Sequence, residues 1–196
     1  MEEENPVSRG CFFCKSGKEE DVVLRFGLIF PEGRAIIPTR TRIRRKKDVA
    51  IEEKVSLLPG YVFFELNAPY KQGSIAEQRS KKEILKIDNI ESELQLFTHV
   101  TSVLKLLRYS DGDWRLQGAD DLFAKMLFEI DGNIGISQVY FDKGNRIRIL
   151  NGFLKNYEGS ITRVNKKTKT VEIETDFQGK KISMWLGYEQ ISAIDQ

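Results

Sequence analysis

The chain has 196 residues, of which 40% are hydrophobic and 31% are charged, a composition typical of a globular protein with one large or two small domains. No apolar run approaches the roughly 18–20 residues of a membrane-spanning helix, and the acidic start Met1-Glu-Glu-Glu-Asn5 is unlike the basic start of a signal peptide. The net charge is only +2, so the whole molecule is not a polycation, and we expect a cytoplasmic protein with no membrane association.

The N-terminal residues predict a strand, a helix and a second strand. The run Cys11-Phe-Phe-Cys14 is typical of a strand, and Ser16-Gly-Lys-Glu19 has the spacing of a capping box at a helix start. Pro31-Glu-Gly33 would end that helix, and Ala35-Ile-Ile37 predicts a short strand. The apolar face of the helix is formed by residues at three- and four-residue steps: Val22, Val23, Phe26, Ile29 and Phe30.

The two cysteines, Cys11 and Cys14, are predicted to be reduced and structural. A redox C-x-x-C site needs a helix start, whereas this pair lies in a predicted strand, where positions 11 and 14 face opposite ways. A zinc site needs about four ligands, and His99 is the one histidine of the chain. No metal and no cofactor is therefore expected, with redox sensing or metal binding as the weaker alternative. His99 is predicted to be a surface or packing residue.

The segment from residue 40 to residue 47 concentrates six basic residues in eight positions. In an extended ribbon Arg40, Arg42 and Arg44 would share one face. Arginine binds phosphates and guanine edges through forked hydrogen bonds, so the segment is predicted to bind nucleic acid. A solvated loop without specific contacts is the alternative. The candidate ligands here are Arg40, Arg42, Arg44, Arg45, Lys46 and Lys47.

A second basic region follows the strand predicted at Tyr61–Leu66, which is the clearest strand in the chain because of its aromatic and branched residues. Residues 67–90 are polar and basic and predict a helix over residues 75–87, and residues 91–98 predict another short helix. Further candidate nucleic-acid ligands, with a solvated loop again as the alternative, are Arg79, Lys81 and Lys82.

The next segment predicts a strand and an amphipathic helix. Val103–Tyr109 is strand-like and is stopped by Asp111-Gly112, beside which Trp114 is predicted to be a packing anchor. Residues 131–135 then resemble a linker. The helix face is marked by Ala119, Leu122, Phe123, Met126, Leu127 and Ile130.

After residue 138 the pattern changes to short strands in which apolar and polar residues alternate, separated by turn residues. Regular spacing of this kind is typical of a small β-barrel, with Trp185 in its core. We therefore predict an α/β domain over residues 1–131, a linker over 132–138 and an all-β domain over 139–196. The predicted strands lie within residues 146–150, 159–164, 170–174 and 180–185.

Residues 146–161 resemble the KOW motif, in which two strands flank a turn bounded by glycines, here Gly152 and Gly159. Before it, Phe12–Gly17, Ile37-Pro-Thr39 and Leu58-Pro-Gly-Tyr-Val62 follow one another in the order found in the N-terminal domain of the NusG family. The pairing of the two domains covers nearly the whole chain, so the chain resembles that family of transcription elongation factors.

The finer resemblance is to the LoaP subgroup of the NusG family. It rests on four segments: Asp111–Leu116, Phe123–Lys125, Ile134–Ser137 and Trp185–Tyr188. The chain departs from the family at Arg9-Gly10, where many members have Trp-Tyr.

The family resemblance implies an α+β protein, with a NusG-type αβ sandwich around an antiparallel sheet followed by a small C-terminal KOW β-barrel. It implies binding to the clamp helices of RNA polymerase, and by motif position Phe13, Leu58 and Tyr61 would make that contact. An exposed aromatic sheet face suits a partner site. The alternative is that these three side chains are buried beneath the domain's own helices.

The LoaP resemblance implies binding of a nascent RNA hairpin and readthrough of terminators in long operons. Non-template DNA is a further candidate partner, as is a ribosomal protein or Rho for the KOW domain, and a monomer is expected. A general NusG-like elongation factor without specific RNA recognition and a KOW-containing ribosomal protein remain alternatives. The sequence has no nucleophile–base pattern and no glycine-rich phosphate loop, so no enzyme is predicted and no catalytic residue is assigned.

Overall fold

The structure is a computed structural model that describes residues 7–46, 49–67, 81–100 and 102–191, without the side chains at 45, 46, 67, 81–89 and 100. Its contacts divide the chain into two compact units, Met1–Ile37 with Pro59–Phe128 and Pro38–Leu58 with Glu129–Gln196. The elements in chain order are β1 (Val7–Cys14), α1 (Glu19–Ile29), β2 (Arg34–Ile36), β3 (Thr39–Lys46), β4 (Val49–Ser56), β5 (Tyr61–Asn67), α2 (Lys81–Val100), β6 (Val103–Leu106), α3 (Gly118–Glu129), β7 (Asn133–Ile134), β8 (Ser137–Phe141), β9 (Ile147–Asn151), a 3₁₀ segment (Phe153–Ser160), β10 (Ile161–Asn165), β11 (Thr170–Phe177) and β12 (Lys180–Gln190).

The first unit is built on an antiparallel sheet in the order β2-β5-β1-β6. Alternate residues of β1 and β5 send rings to one face, where Phe12 and Phe64 stack with centroids 4.5 Å apart. Phe26 of α1 and Phe97 of α2 pack onto the same cluster, 6.1 and 5.1 Å from Phe12. Burying each such ring contributes roughly 1.5–3 kcal/mol, so this aromatic core is the main stabilising feature of the unit.

The opposite face of this sheet is covered in part by α3. Phe123 of α3 meets Phe63 with ring centroids 5.8 Å apart. Arg9 on β1 forms ion pairs with Asp121 of α3 at 3.1 Å and with Glu65 of β5 at 3.3 Å. These contacts fix α3 over the middle of β5 and over the start of β1.

The helix starts differ in detail from the expectations. The capping box predicted at Ser16–Glu19 is wrong, because Lys18 is the N-cap and makes no side-chain cap, although the helix itself is confirmed. The helix start is stabilised instead by the acidic residues of its first turn, Glu19 to Asp21, whose negative charges lie at the positive end of the helix dipole. In α2, residues 81–100 form one continuous helix rather than two, and residues 75–80 lie outside the described residues.

The second unit combines the β3–β4 hairpin with the C-terminal strands. The strand β7 pairs in parallel with the start of β3, and a five-stranded sheet follows in the order β10-β11-β12-β8-β9. Gly187 of β12 lets the hairpin approach closely, since a Cβ there would lie 3.0 Å from the carbonyl oxygen of Thr41. The core of the sheet is mostly aliphatic, and includes Val139, Val171, Ile173, Met184, Leu186 and Tyr188.

The predicted α+β class with an antiparallel sheet is confirmed, whereas the NusG-type sandwich and the closed KOW barrel stay predictions. The same is true of the predicted domain boundaries. The predicted linker over residues 132–138 contains β7 and the first residues of β8, and residues 38–58 pack with the C-terminal strands. Over the described part of the chain, no helix has both the length and the apolar character needed to cross a bilayer.

Candidate functional site

Phe13 and Tyr61 form an aromatic pair at one end of the first unit's sheet, and we call it the aromatic pair. The two residues are opposite each other on β1 and β5, with ring centroids 5.2 Å apart in edge-to-face geometry. Both rings are half-buried, so α3 does not cover them completely, and the ammonium group of Lys105 lies 5.9 Å from the ring of Phe13. The alternative that Phe13 and Tyr61 are completely buried beneath their own helices therefore does not hold, and their role in polymerase binding stays a prediction.

The turn at Pro59-Gly60 holds the aromatic pair in place. The backbone amide of Cys14 donates to the Gly60 carbonyl oxygen at 2.7 Å, and the Gly60 amide donates to the carboxylate of Glu19 at 2.7 Å. Gly60 has a φ of 84°, and a Cβ there would lie 2.9 Å from the Cys14 carbonyl oxygen. Glycine is thus required by both backbone conformation and space, and it fixes where Tyr61 begins β5.

Leu58, the third residue assigned to polymerase binding, lies in the second unit and is only 6% exposed. Its side chain is therefore not offered to a partner in this structure, and its role in polymerase binding stays a prediction.

A cleft of about 1120 Å³ lies in the second unit between the β3–β4 hairpin and the turn that joins β10 to β11. The half-buried indole of Trp185 and the carboxylate of Glu189 contribute to its lining. The charged lining residues include six basic side chains and the carboxylate of Glu189, so the cleft has an excess of positive charge. We call this site the basic cleft, and its basic residues are Arg40, Arg42, Arg44, Lys166, Lys167 and Lys169.

Arg40 and Arg42 differ in the partners of their guanidinium groups. Arg42 is paired with Glu53 across the hairpin. The Nη1 atom of Arg40 is buried and has no hydrogen-bond partner among the described residues. Burial, and then the neighbouring charge of Arg42, lowers the pKa of Arg40. A buried guanidinium donor without an acceptor is costly, and a phosphate oxygen would supply the missing acceptor.

The lysines of the cleft come from a turn whose backbone is held rigidly. The side-chain oxygen of Asn165 accepts from the Thr168 amide at 3.0 Å, and the carbonyl oxygen of Lys169 accepts from the Tyr188 amide at 2.9 Å. Lys166 donates to Asn145 at 2.6 Å, and its ammonium lies 4.3 Å from the ring of Phe141. These contacts hold the Lys166 side chain against the β8–β9 turn.

The structure brings three of the predicted basic residues, Arg40, Arg42 and Arg44, into one site, as the alternation in the sequence indicated. Lys47 and Arg79 lie outside the described residues. The side chains of Arg45, Lys46, Lys81 and Lys82 are likewise not described.

The cleft residues that the sequence reasoning missed are the three lysines of the β10–β11 turn and Trp185. The prediction that Trp185 belongs to the core is wrong, because the side chain is half-buried and lines the cleft. A signal for this was present in the sequence. In β12 the apolar residues Ile182, Met184, Leu186 and Tyr188 all have even numbers, so strand alternation puts residue 185 on the other face. Trp114, by contrast, is fully buried, as predicted.

The cysteines and the histidine add no chemistry to these sites. Cys11 and Cys14 are both buried thiols. Burial, and then the nearby Cys14, raises the pKa of Cys11 well above its usual value, and burial followed by the charge of Glu19 raises the pKa of Cys14 to about 11. A raised pKa disfavours the nucleophilic thiolate at neutral pH. His99 is exposed on α2, and the described residues contain no cluster of three or more potential metal ligands.

Comparison with known proteins gives a single kind of likeness. No protein-family model matches the chain, and no curated protein matches it. Among solved structures, one described as "Domain interaction in Thermotoga maritima NusG" aligns with 93% of this chain and 94% of its own, with 15% sequence identity and a TM-score of 0.44. The function of this chain is therefore inferred from its own residues.

Proposed function

We propose that this protein is a transcription elongation and antitermination factor without enzymatic activity. It binds RNA polymerase through the aromatic pair of the first unit and a hairpin of the nascent RNA through the basic cleft of the second. By holding both, it promotes readthrough of terminators. The proposal rests on the NusG-like and LoaP-like motifs of the sequence together with the two surfaces described above.

The observation that carries the proposal is the charge of the basic cleft. Its six basic side chains come from two separate parts of the chain, and Arg40 has a buried donor without an acceptor. Such an excess of cations around an open groove suits a nucleic-acid backbone, whose phosphates release counterions when lysine and arginine replace them. Arg44 is exposed on the hairpin and can reach a base edge as well as a phosphate.

The aromatic pair supports the polymerase half of the proposal. It is half-buried, lies on the sheet face away from the aromatic core, and is held by the Gly60 turn of the Leu-Pro-Gly-Tyr motif. Aromatic side chains that are held rigidly before binding lose little conformational freedom on binding, so they are effective anchors at protein interfaces.

A transcription assay with the cognate polymerase tests the proposal. The template would carry the leader that is recovered by sequencing RNA crosslinked to the protein in cells, followed by a terminator. The native protein should raise readthrough only when the leader is present. Phe13→Glu should abolish polymerase binding and leave RNA binding intact, whereas Arg44→Glu should do the reverse.

Matched control variants place a similar charge change outside each site. Leu28→Glu introduces a carboxylate at a 76% exposed apolar residue of α1, and Lys181→Glu reverses an exposed charge of β12 that does not line the cleft. Neither should alter readthrough. Readthrough that does not depend on the leader would instead indicate a general elongation factor. Co-sedimentation with ribosomes and no effect on transcription would reject the proposal.

A further inference from the structure

The two tryptophans of the chain have opposite surroundings. Trp114 is 0% exposed and is packed between Phe64, with ring centroids 5.4 Å apart, and the guanidinium of Arg115 at 4.8 Å. Trp185 is half-buried in the basic cleft, and within the described ranges no ring or cation packs on its indole. A tryptophan normally buries a large apolar area, so an indole left open in a cationic cleft has room for an external planar group.

The strand β12 explains why the indole faces the cleft. Met184 and Leu186, on either side of Trp185, are 1% and 0% exposed and belong to the core of the sheet. Trp185 therefore lies on the other face, where the next residue is Gly187. Because the backbone of Thr41 in β3 packs against Gly187, the indole lies near the strand that carries Arg40 and Arg42.

A nucleobase is the planar group that fits these surroundings. Every base, whatever its identity, has a π face that can stack on tryptophan, and every base is joined to phosphates that lysine and arginine bind. Within an A-form stem the faces of the bases are already stacked on one another, whereas loops and bulges offer unstacked bases. The cleft volume of about 1120 Å³ is slightly above the roughly 300–1,000 Å³ typical of small-ligand sites, which leaves room for a nucleotide with its flanking phosphates.

We propose that Trp185 is the base-stacking residue of the basic cleft and that the cleft takes an unpaired nucleotide from a loop or bulge of the RNA. The arginines of β3 and the lysines of the β10–β11 turn hold the phosphates on either side of that nucleotide. The identity of the ligand as RNA rests on the proposed function, whereas the stacking role rests on the surroundings of Trp185.

The test uses the full chain and two RNA probes, a hairpin closed by an all-uridine loop and the blunt duplex of the same stem. The variants are Trp185→Phe, which keeps an aromatic face, and Trp185→Leu, which keeps an apolar side chain without one. Thermal melting of each variant reports whether the second unit stays folded.

The native protein should bind the hairpin more tightly than the duplex. Trp185→Leu should weaken hairpin binding roughly 5- to 100-fold, with little effect on the duplex, and Trp185→Phe should stay within about fivefold of the native protein. Since no charge changes, the salt dependence should be the same for all three, whereas Lys167→Ala should reduce its slope by about 0.7. Oligouridylate should quench the fluorescence of the native protein but not that of Trp185→Phe, which retains only the buried Trp114.

Two results would overturn the stacking role. In the first, all three proteins bind hairpin and duplex equally and no quenching occurs, which means that the cleft recognises phosphates alone. In the second, Phe and Leu weaken binding equally and both lower the melting temperature, which means that Trp185 only packs. If Arg44→Glu still abolishes hairpin binding in either case, the proposed function survives. If the native protein binds neither these probes nor the crosslinked leader, the RNA part of the proposed function fails.

Discussion

The aromatic pair of the first unit is formed by one pair of neighbouring strands and the turn at Gly60, whereas the basic cleft of the second unit is assembled from a hairpin, a strand and a separate turn. Phe13 and Tyr61 meet because β1 and β5 are paired and Gly60 is bonded to Cys14 and Glu19. The cleft exists only once the β3–β4 hairpin packs against β12 at Gly187. The first site therefore depends on one strand pairing and one turn, while the second depends on the packing of several separate segments.

The two sites also differ in the forces that they can use. The aromatic pair offers mainly apolar area, beside the ammonium group of Lys105, so its binding should depend weakly on salt. The basic cleft offers mostly charge, and its binding should weaken steeply as salt rises. Substitutions that act on one site and spare the other are the sharpest way to test this contrast.

The largest expected effect is on stability, and it comes from a substitution in the aromatic core of the first unit. Phe26 is fully buried and contacts the rings of Phe12, Phe64 and Phe97. Phe26→Ala should reduce the free energy of unfolding of the first unit by about 3–5 kcal/mol, measured by urea denaturation. Leu24→Ala on the same helix is the control, since Leu24 is 66% exposed, and it should change that free energy by less than about 0.5 kcal/mol.

RNA binding should persist in Phe26→Ala at concentrations of urea that unfold the first unit, because the second unit has its own core. A single transition in which RNA binding is lost together with the first unit would contradict the separation of the two sites.

The next effect concerns the packing that forms the basic cleft. A Cβ on Gly187 would lie 2.5 Å from the Cδ1 atom of Ile136 and 3.0 Å from the Thr41 carbonyl oxygen. The isoleucine side chain can move, but the backbone of the hairpin must shift as well. Gly187→Ala should therefore destabilise the second unit by about 1–3 kcal/mol and weaken RNA binding in gel shifts. Gly159→Ala, with no neighbouring atom within 4 Å, is the matched control. Equal RNA affinity for both variants would show that the hairpin does not contribute to the site.

The same contrast explains which parts of the molecule could be predicted from the sequence. The strand at 61–66, the first helix and the turn at Pro59-Gly60 follow from local periodicity and from the conformational freedom of glycine. The aromatic pair was predicted from motif position, because the segments that contain Phe13 and Tyr61 resemble those of the NusG family. The β3 arginines were also predicted, because their alternation is visible within one strand.

The lysine turn and Trp185 could not be assigned to a site in the same way. The lysines after Asn165 read as an ordinary polar turn, because nothing in their own segment indicates that a hairpin from residues 39–56 packs nearby. Trp185 was predicted to lie in the core although the strand alternation favours the other face, and nothing local indicates that the arginines of β3 line the same cleft. Pairing between distant strands is set by the complete fold, and local patterns do not contain it.

A smaller effect is expected at the turn that holds the aromatic pair. Gly60 and Gly17 both have positive φ angles, 84° and 81°, but only Gly60 has neighbours within 4 Å. Alanine at either position should cost about 1–2 kcal/mol of stability because of the left-handed backbone. Only Gly60→Ala should also push against the Cys14 carbonyl oxygen and the ring of Phe13, and so lower the affinity for polymerase in pull-downs. Equal loss of polymerase binding in both variants would mean that the turn acts through stability alone.

The smallest effect tests whether the cleft needs its charges positioned or merely present. Lys166 donates to the side-chain oxygen of Asn145. Asn145 has a φ of 58°, a backbone conformation that glycine adopts without strain. Asn145→Gly removes that bond and leaves every charge in place, so RNA affinity should fall by no more than about twofold, the weight of one exposed polar contact. The slope of affinity against salt should not change, whereas Lys166→Ala should reduce it by about 0.7. A larger fall for Asn145→Gly than for Lys166→Ala would mean that the geometry of the β10–β11 turn, rather than its positive charge, determines binding at the basic cleft.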